Sequence, residues 1–195
     1  MNNELVTVIY FWKIKRRKVG FALLRMALDR GGLRRLHGVR FAKMLGSGKG
    51  ETFTPRDADI TRWGVLAVIE ESQLVALDNS KLIKRWRANS TDEVRYLVDP
   101  ISSHGLWAKV NPFDYVKSAG EGEVVAITRA RIKWAQNVRF WKAVPPVTSS
   151  LHSSPGLINT IGIGEAPIGL QGTFSLWESS AAIKDFAYKG AAHQK

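Results

Sequence analysis

Leu45-Gly46-Ser47-Gly48 and Ile161-Gly162-Ile163-Gly164 decide the fold, because one short pattern occurs twice: an apolar strand end running into alternate glycines. A second pair keeps the same order. Ala67-Val68-Ile69-Glu70-Glu71-Ser72 in the first half answers Ser175-Leu176-Trp177-Glu178-Ser179-Ser180 in the second. Two matched pairs in matched order describe an internal repeat, and each copy is one supersecondary unit.

The first half reads outward from its glycines. Residues 5–14 are rich in Val, Ile, Tyr, Phe and Trp and read as a strand. Residues 19–28 are apolar over most of a helix surface, with Arg25 and Asp29 as a narrow polar stripe at i, i+4, and Gly31-Gly32 is expected to end that helix. Strands follow at 39–45 and 63–69. Residues 74–86 read as helix in two pieces around Asp78-Asn79-Ser80, and 94–98 as a fourth strand.

After an irregular connector, 99–121, with Pro100, His104-Gly105, Pro112 and Gly120, the pattern restarts. Strands are expected at 124–132, 157–163 and 172–177. Helices are expected at 135–143, stopping before Pro145-Pro146, and at 179–192. The fold class is therefore α+β. Two ferredoxin-like βαββ-type halves, 1–98 and 122–195, each carry an antiparallel sheet with helices on one face, and the two open faces are expected to pack into one barrel around a cavity.

Composition narrows the chemistry. The 195 residues include no cysteine, which excludes disulfides, iron–sulfur clusters and thiolate ligands. Met1-Asn2-Asn3-Glu4 is polar, with an acid where a signal peptide would be basic, and no run approaches the roughly 20 apolar residues of a membrane span. A cytoplasmic setting is expected. Net charge is +12, with Lys13, Lys15, Arg16, Arg17 and Lys18 clustered and Arg25, Arg30, Arg34, Arg35 and Arg40 following. This is either an ordinary solvated basic surface or attraction to anionic lipid.

Gly46-Ser47-Gly48-Lys49-Gly50 lacks the spacing of a phosphate loop and reads as a tight turn, or as backbone close to a ligand. No Ser-His-Asp or paired-carboxylate spacing is present. His37, His104, His152 and His193 form no i, i+4 metal pair, so a structural zinc site is not expected. His193 lies seven residues after Phe186 and eleven after Ala182, near one apolar helix face. That placement suits an axial haem ligand, and equally a solvated end residue. His104, within Ser102-Ser103-His104-Gly105-Leu106-Trp107, suits either a ligand site or a packed loop. Seven tryptophans suit a core, a cavity for a large apolar ligand, or base stacking. On these grounds a haem- or small-molecule-binding barrel, catalytic or not, and a basic nucleic-acid-binding protein both stay open.

Several stretches resemble the spheroidene monooxygenase family. They are Lys43-Met44-Leu45-Gly46-Ser47-Gly48-Lys49-Gly50-Glu51-Thr52-Phe53-Thr54-Pro55, Ser103-His104-Gly105-Leu106-Trp107, Ile127-Thr128-Arg129-Ala130 and Val138-Arg139-Phe140-Trp141-Lys142-Ala143-Val144-Pro145. Ile161-Gly162-Ile163-Gly164-Glu165-Ala166-Pro167 leads on to Thr173-Phe174-Ser175-Leu176-Trp177 and Phe186-Ala187-Tyr188. The resemblance runs in order through nearly the whole chain. It implies a domain of the dimeric α+β barrel type that holds haem b (iron) and uses molecular oxygen and reduced ferredoxin. The implied reaction oxidises an acyclic carotenoid beside its end group, by hydroxylation and then ketone formation.

By the same resemblance, His193 is the axial iron ligand, Phe186 and Tyr188 belong to the cofactor-binding helix, and His104 is catalytic on the distal side. The implied partners are the carotenoid and reduced ferredoxin. Contact with an anionic membrane surface is expected from the basic segment, giving a cytoplasmic protein peripheral to the inner membrane, and no nucleic acid is expected. Members of that family continue past this helix, whereas this chain stops at Lys195, so the second half is expected to be C-terminally short.

Overall fold

A computed structural model describes residues 4–51, 54, 57–115, 117, 120–131, 148–165 and 170–189. The chain divides into two compact units, residues 1–45 with 60–119 and residues 46–59 with 120–195. In each, antiparallel strands combine with helices, as an α+β chain requires.

The first unit runs β1 (Leu5–Ile14), α1 (Val19–Arg34), β2 (Val39–Gly48), β3 (Ala58–Glu70), α2 (Leu74–Asp78), α3 (Lys81–Asn89) and β4 (Ser90–Val98). Its strand order is β4-β1-β3-β2, the ferredoxin-like arrangement. β1 is central. Tyr10 lies opposite Val65 and Trp12 opposite Trp63 on one side, and Ile9 opposite Tyr96 on the other.

Alternation along β1 explains the core. Val6, Val8, Tyr10, Trp12 and Ile14 share one face with Trp63, Val65, Ala67 and Ile69 of β3. Ala22, Met26 and Leu33 of α1, Leu77 of α2, and Leu82, Ile83 and Trp86 of α3 cover that face. Trp12 stacks between Tyr10 and Trp86, with ring centroids 5.4 Å away on each side. Such pairs add about 0.5–1.5 kcal/mol each beyond their buried area. On the opposite face Leu5, Thr7, Ile9, Phe11, Leu66 and Val68 are also buried.

α1 does not end at Gly31-Gly32. It continues to Arg34, because neither glycine adopts the left-handed conformation that stops a helix and Leu33 beyond them is buried in the core. The positive-φ residue comes later, at Gly38, where a Cβ would lie 2.6 Å from Gln73 Cγ.

The second unit contains β5 (Val124–Arg131), a helical segment at 148–152, β6 (Leu157–Gly164), β7 (Leu170–Trp177) and α4 (Ser180–Lys189). The end of β2 pairs with β6, β6 with β7, and β7 with β5, all antiparallel. The expected helix at 135–143 lies outside the described residues.

β2 runs on to Gly48 instead of stopping at Leu45. The extension is an antiparallel ladder in which Gly46 faces Gly164, Ser47 faces Ile163 and Gly48 faces Gly162. The two glycine motifs that define the repeat are thus each other's partners. Only glycine allows the approach that follows: a Cβ on Gly162 would meet the backbone N and Cα of Gly50 at 3.0 and 3.1 Å, and Gly50 itself has φ +75°. Beyond the ladder Lys49 N–H donates to Asp57 O (2.9 Å) and Glu51 N–H to Asp57 Oδ2 (3.0 Å), while Thr148 Oγ1 donates to Glu51 O (2.8 Å).

Candidate functional site

His104 is the sequence-derived catalytic candidate within the described residues, and a short, fixed loop holds it. Three residues on, Trp107 is buried and meets Phe41 of β2 edge-on at 5.5 Å, with Phe113 at 6.5 Å. Trp107 N–H donates to Val110 O (2.7 Å), and Val110 N–H returns the bond (3.3 Å).

The turn between them places Ala108 at φ +54° and Lys109 at φ +71°, a left-handed pair of non-glycine residues. Each costs of order 1 kcal/mol, and such strain persists only where its surroundings over-determine it. On the other side Ser103 Oγ donates to Asn111 Oδ1 (3.2 Å), and Phe113 N–H donates to the same oxygen (3.1 Å). Gly105, at φ +82°, lets the chain reverse directly after His104. The imidazole of His104 is exposed.

The ends of this connector are tied to the first unit. Lys117 N–H donates to Pro100 O (2.8 Å), and Lys117 Nζ pairs with Glu4 (2.9 Å) and Asp99 (3.0 Å). Those carboxylates, Glu4 first, raise the Lys117 pKa, and Lys117 lowers that of Glu4. Tyr115 and Thr7 hydroxyls are 2.5 Å apart, and burial raises the Tyr115 pKa. The connector is therefore a closed loop with His104 on its outer surface.

The remaining candidates lie elsewhere. Phe186 is half-buried on α4 and packs 5.4 Å from Trp177, which is fully buried at the end of β7. Tyr188, two residues on, is 81% exposed, as a helix turning about 200° between them dictates. His193 lies outside the described residues.

His37 and His152 are exposed, like His104, so no described histidine sits on a buried apolar surface. The described residues thus present no buried imidazole. Among them there is also no cluster of three metal-ligating side chains. The five described tryptophans, Trp12, Trp63, Trp86, Trp107 and Trp177, are all buried and offer no exposed face for base stacking.

One pair escaped the sequence reading. Arg129 of β5 donates to Glu165 Oε1 (2.7 Å), both at low exposure, joining two of the stretches quoted for the family resemblance. Their separation of 36 residues leaves no local signal of the pairing.

Three curated relatives align with the chain. It is 34% identical over 181 residues to a spheroidene monooxygenase of Rhodobacter capsulatus, covering 90% of this chain and 74% of that protein. The chain belongs to the spheroidene monooxygenase family. Family proteins of Cereibacter sphaeroides (32% identical over 170 residues, 86% of this chain) and Rubrivivax gelatinosus (34% over 160 residues, 81% of this chain) also align. The chain spans 52% and 62% of those two relatives. No protein-family model matches it.

Solved structures are similar only distantly. A protein assigned as an antibiotic biosynthesis monooxygenase from Nitrosomonas europaea has TM-score 0.41 and 13% identity, covering 54% of this chain and 98% of that one. A protein assigned as a monooxygenase from Fusobacterium nucleatum has TM-score 0.38 and 8% identity, covering 100% of this chain and 84% of that one. Membership of the spheroidene monooxygenase family rests on the sequence relatives alone.

Proposed function

We propose that the chain is a haem-dependent monooxygenase that oxidises an acyclic carotenoid, first to a hydroxy and then to a keto product, with molecular oxygen and electrons from reduced ferredoxin. The observation that carries this reading is the alignment with three spheroidene monooxygenases over more than four-fifths of the chain. Each turn of the reaction inserts one oxygen atom into a C–H bond and reduces the other to water with two electrons and two protons. A second hydroxylation at the same carbon gives a geminal diol, which loses water to leave the ketone.

Haem, when bound, would supply the oxidising power for inserting oxygen into the C–H bond. In this reading His193, four residues beyond the end of α4 in sequence, would hold the iron, and Phe186 and Tyr188 of α4 are cofactor-binding residues. His104 has a different task. Its loop is held by Trp107 on one side and Asn111 on the other, and its side chain faces solvent. From there a ring nitrogen can give or take a proton as the substrate reacts. The polyene end needs little beyond apolar surroundings, because burying each of its carbon units is favourable by about 0.8 kcal/mol.

The reading is tested by purifying the chain with haem supplied and following conversion of an acyclic carotenoid under a ferredoxin reducing system. A Soret band with an oxygenated product supports it. A Soret band without turnover identifies a haem-binding protein that lacks this activity, and no band at all removes the cofactor.

A further inference from the structure

α1 has two faces, and the core uses only one. Ala22, Met26, Asp29 and Leu33 are buried. On the other side Gly20, Leu23, Leu24, Ala27, Leu28 and Gly31 follow at i, i+3, i+4, i+7, i+8 and i+11, a single apolar stripe. Leu23, Leu24 and Leu28 are 56, 58 and 57% exposed, and a Cβ on Gly20 or Gly31 would meet nothing within 4 Å.

The helix is inverted relative to an ordinary surface helix: its one carboxylate is inside and three of its four leucines are outside. Isolated exposed leucines need no explanation, but three in one stripe do.

Charge identifies what covers the stripe. Lys15, Arg16 and Arg17 stand exposed before it, and Arg34 and Arg35 stand exposed after it. From Lys13 to Arg40 the sequence holds ten lysines and arginines and a single acid, Asp29. Asp29 is 3% exposed and engaged by Arg25, by Arg85 at 3.2 Å and by Trp86 Nε1–H at 3.0 Å. The outer surface of this segment is thus an apolar stripe with positive charge at both ends.

We propose that the outer face of α1 docks into the surface of an anionic lipid bilayer. The leucines enter the boundary of the acyl chains, and the flanking lysines and arginines meet headgroup phosphates. An interfacial helix needs this pairing, since apolar area and cationic charge are each weak alone. A second copy of the chain on the same stripe would bring two cationic clusters together, which opposes that packing. No helix among the described residues is long and apolar enough to cross a membrane, so the contact is with the surface. The docking stands independently of the carotenoid reading.

Flotation of the full chain with vesicles tests it, using phosphatidylcholine alone and phosphatidylcholine mixed with phosphatidylglycerol. The wild type is expected to float with the mixed vesicles, less so in high salt, and not with phosphatidylcholine. The triple variant Leu23→Ser, Leu24→Ser, Leu28→Ser is expected to partition about tenfold more weakly, or less still, at unchanged circular dichroism.

Because the chain contains no cysteine, Leu24→Cys carrying an environment-sensitive fluorophore gives a second readout free of background labelling. Its emission is expected to shift blue on the mixed vesicles, and this readout decides if the serine variant fails to fold. Flotation of the serine variant equal to wild type, or a probe that stays water-exposed on the vesicles, overturns the proposal. So does a lipid-free dimer that the serine variant dissociates while neither protein floats, which would assign the stripe to a second copy.

Discussion

At the scale of single residues, environment overrules type. Gly64 is one case. It faces Phe11 across the β1–β3 ladder, and a Cβ there would lie 2.8 Å from Tyr10 O and 2.9 Å from the Phe11 ring. Gly64→Ala is expected to destabilise the first unit by about 1–3 kcal/mol, read by denaturant unfolding, because the obstruction is backbone and a packed ring. An unchanged midpoint would show that the strand shifts freely.

Glu93 is another. It accepts from Trp12 Nε1–H (2.7 Å) and from Arg87 at 2.8 Å through two of the guanidinium nitrogens. Arg87 first, and Trp12 in addition, hold its pKa below the ordinary 4.5 against the opposing effect of burial. The group binds fewer protons folded than unfolded. Its stabilisation is therefore full above the ordinary value and is lost as pH falls through it toward the lower folded value. Glu93→Gln is expected to cost about 1–2 kcal/mol at neutral pH and to flatten the loss of stability below pH 4.5. Unfolding midpoints across that range check both; an acid limb as steep in the variant would remove Glu93 from the account.

Neither role is legible in sequence, and Asp29 shows why. On the helix pattern Arg25 and Asp29 read as a narrow polar stripe, yet Asp29 is buried against Trp86 and Arg85, 57 and 56 residues away. A polar residue on a helix is ordinarily outside. Only the partner that satisfies it, invisible to periodicity, brings it in.

At the scale of elements, strands and helices were legible in the sequence, their extents less so. Order and type were readable from alternation and breakers for every strand now described. Extents were not. β3 begins at Ala58, five residues before the apolar run that announces it; Asp59 carries no strand signal, and Arg62 is paired with Lys13 of β1. α1 outlasts its two glycines because the burial of Leu33 outweighs their low propensity.

The glycine motifs were recognised as equivalents but not as partners, since similarity of two segments does not imply contact. Their ladder makes a prediction. Gly162→Val must displace the Gly50 backbone, so loss of about 2 kcal/mol or more from the second unit is expected in thermal or chemical unfolding. Full retention of stability would mean that the β2–β6 approach has slack.

At the scale of the whole molecule, family and α+β class were legible, whereas the site was legible only as isolated histidines. Spacing picks out His104 and His193 but says nothing of what surrounds them. Around His104 the structure shows a loop held by a buried tryptophan and closed at its ends by Lys117. In the proposed reading His104, solvent-facing on that loop, transfers a proton, and His193 is the iron ligand.

The most direct test is the absorption spectrum and haem stoichiometry of His193→Ala and His104→Ala beside wild type, with carotenoid turnover measured on each. The account predicts that His193→Ala loses the Soret band, and that His104→Ala keeps it while oxidising carotenoid about a hundredfold more slowly, within the usual range for losing one acid–base group. A normal Soret band in His193→Ala together with its loss in His104→Ala would contradict the account.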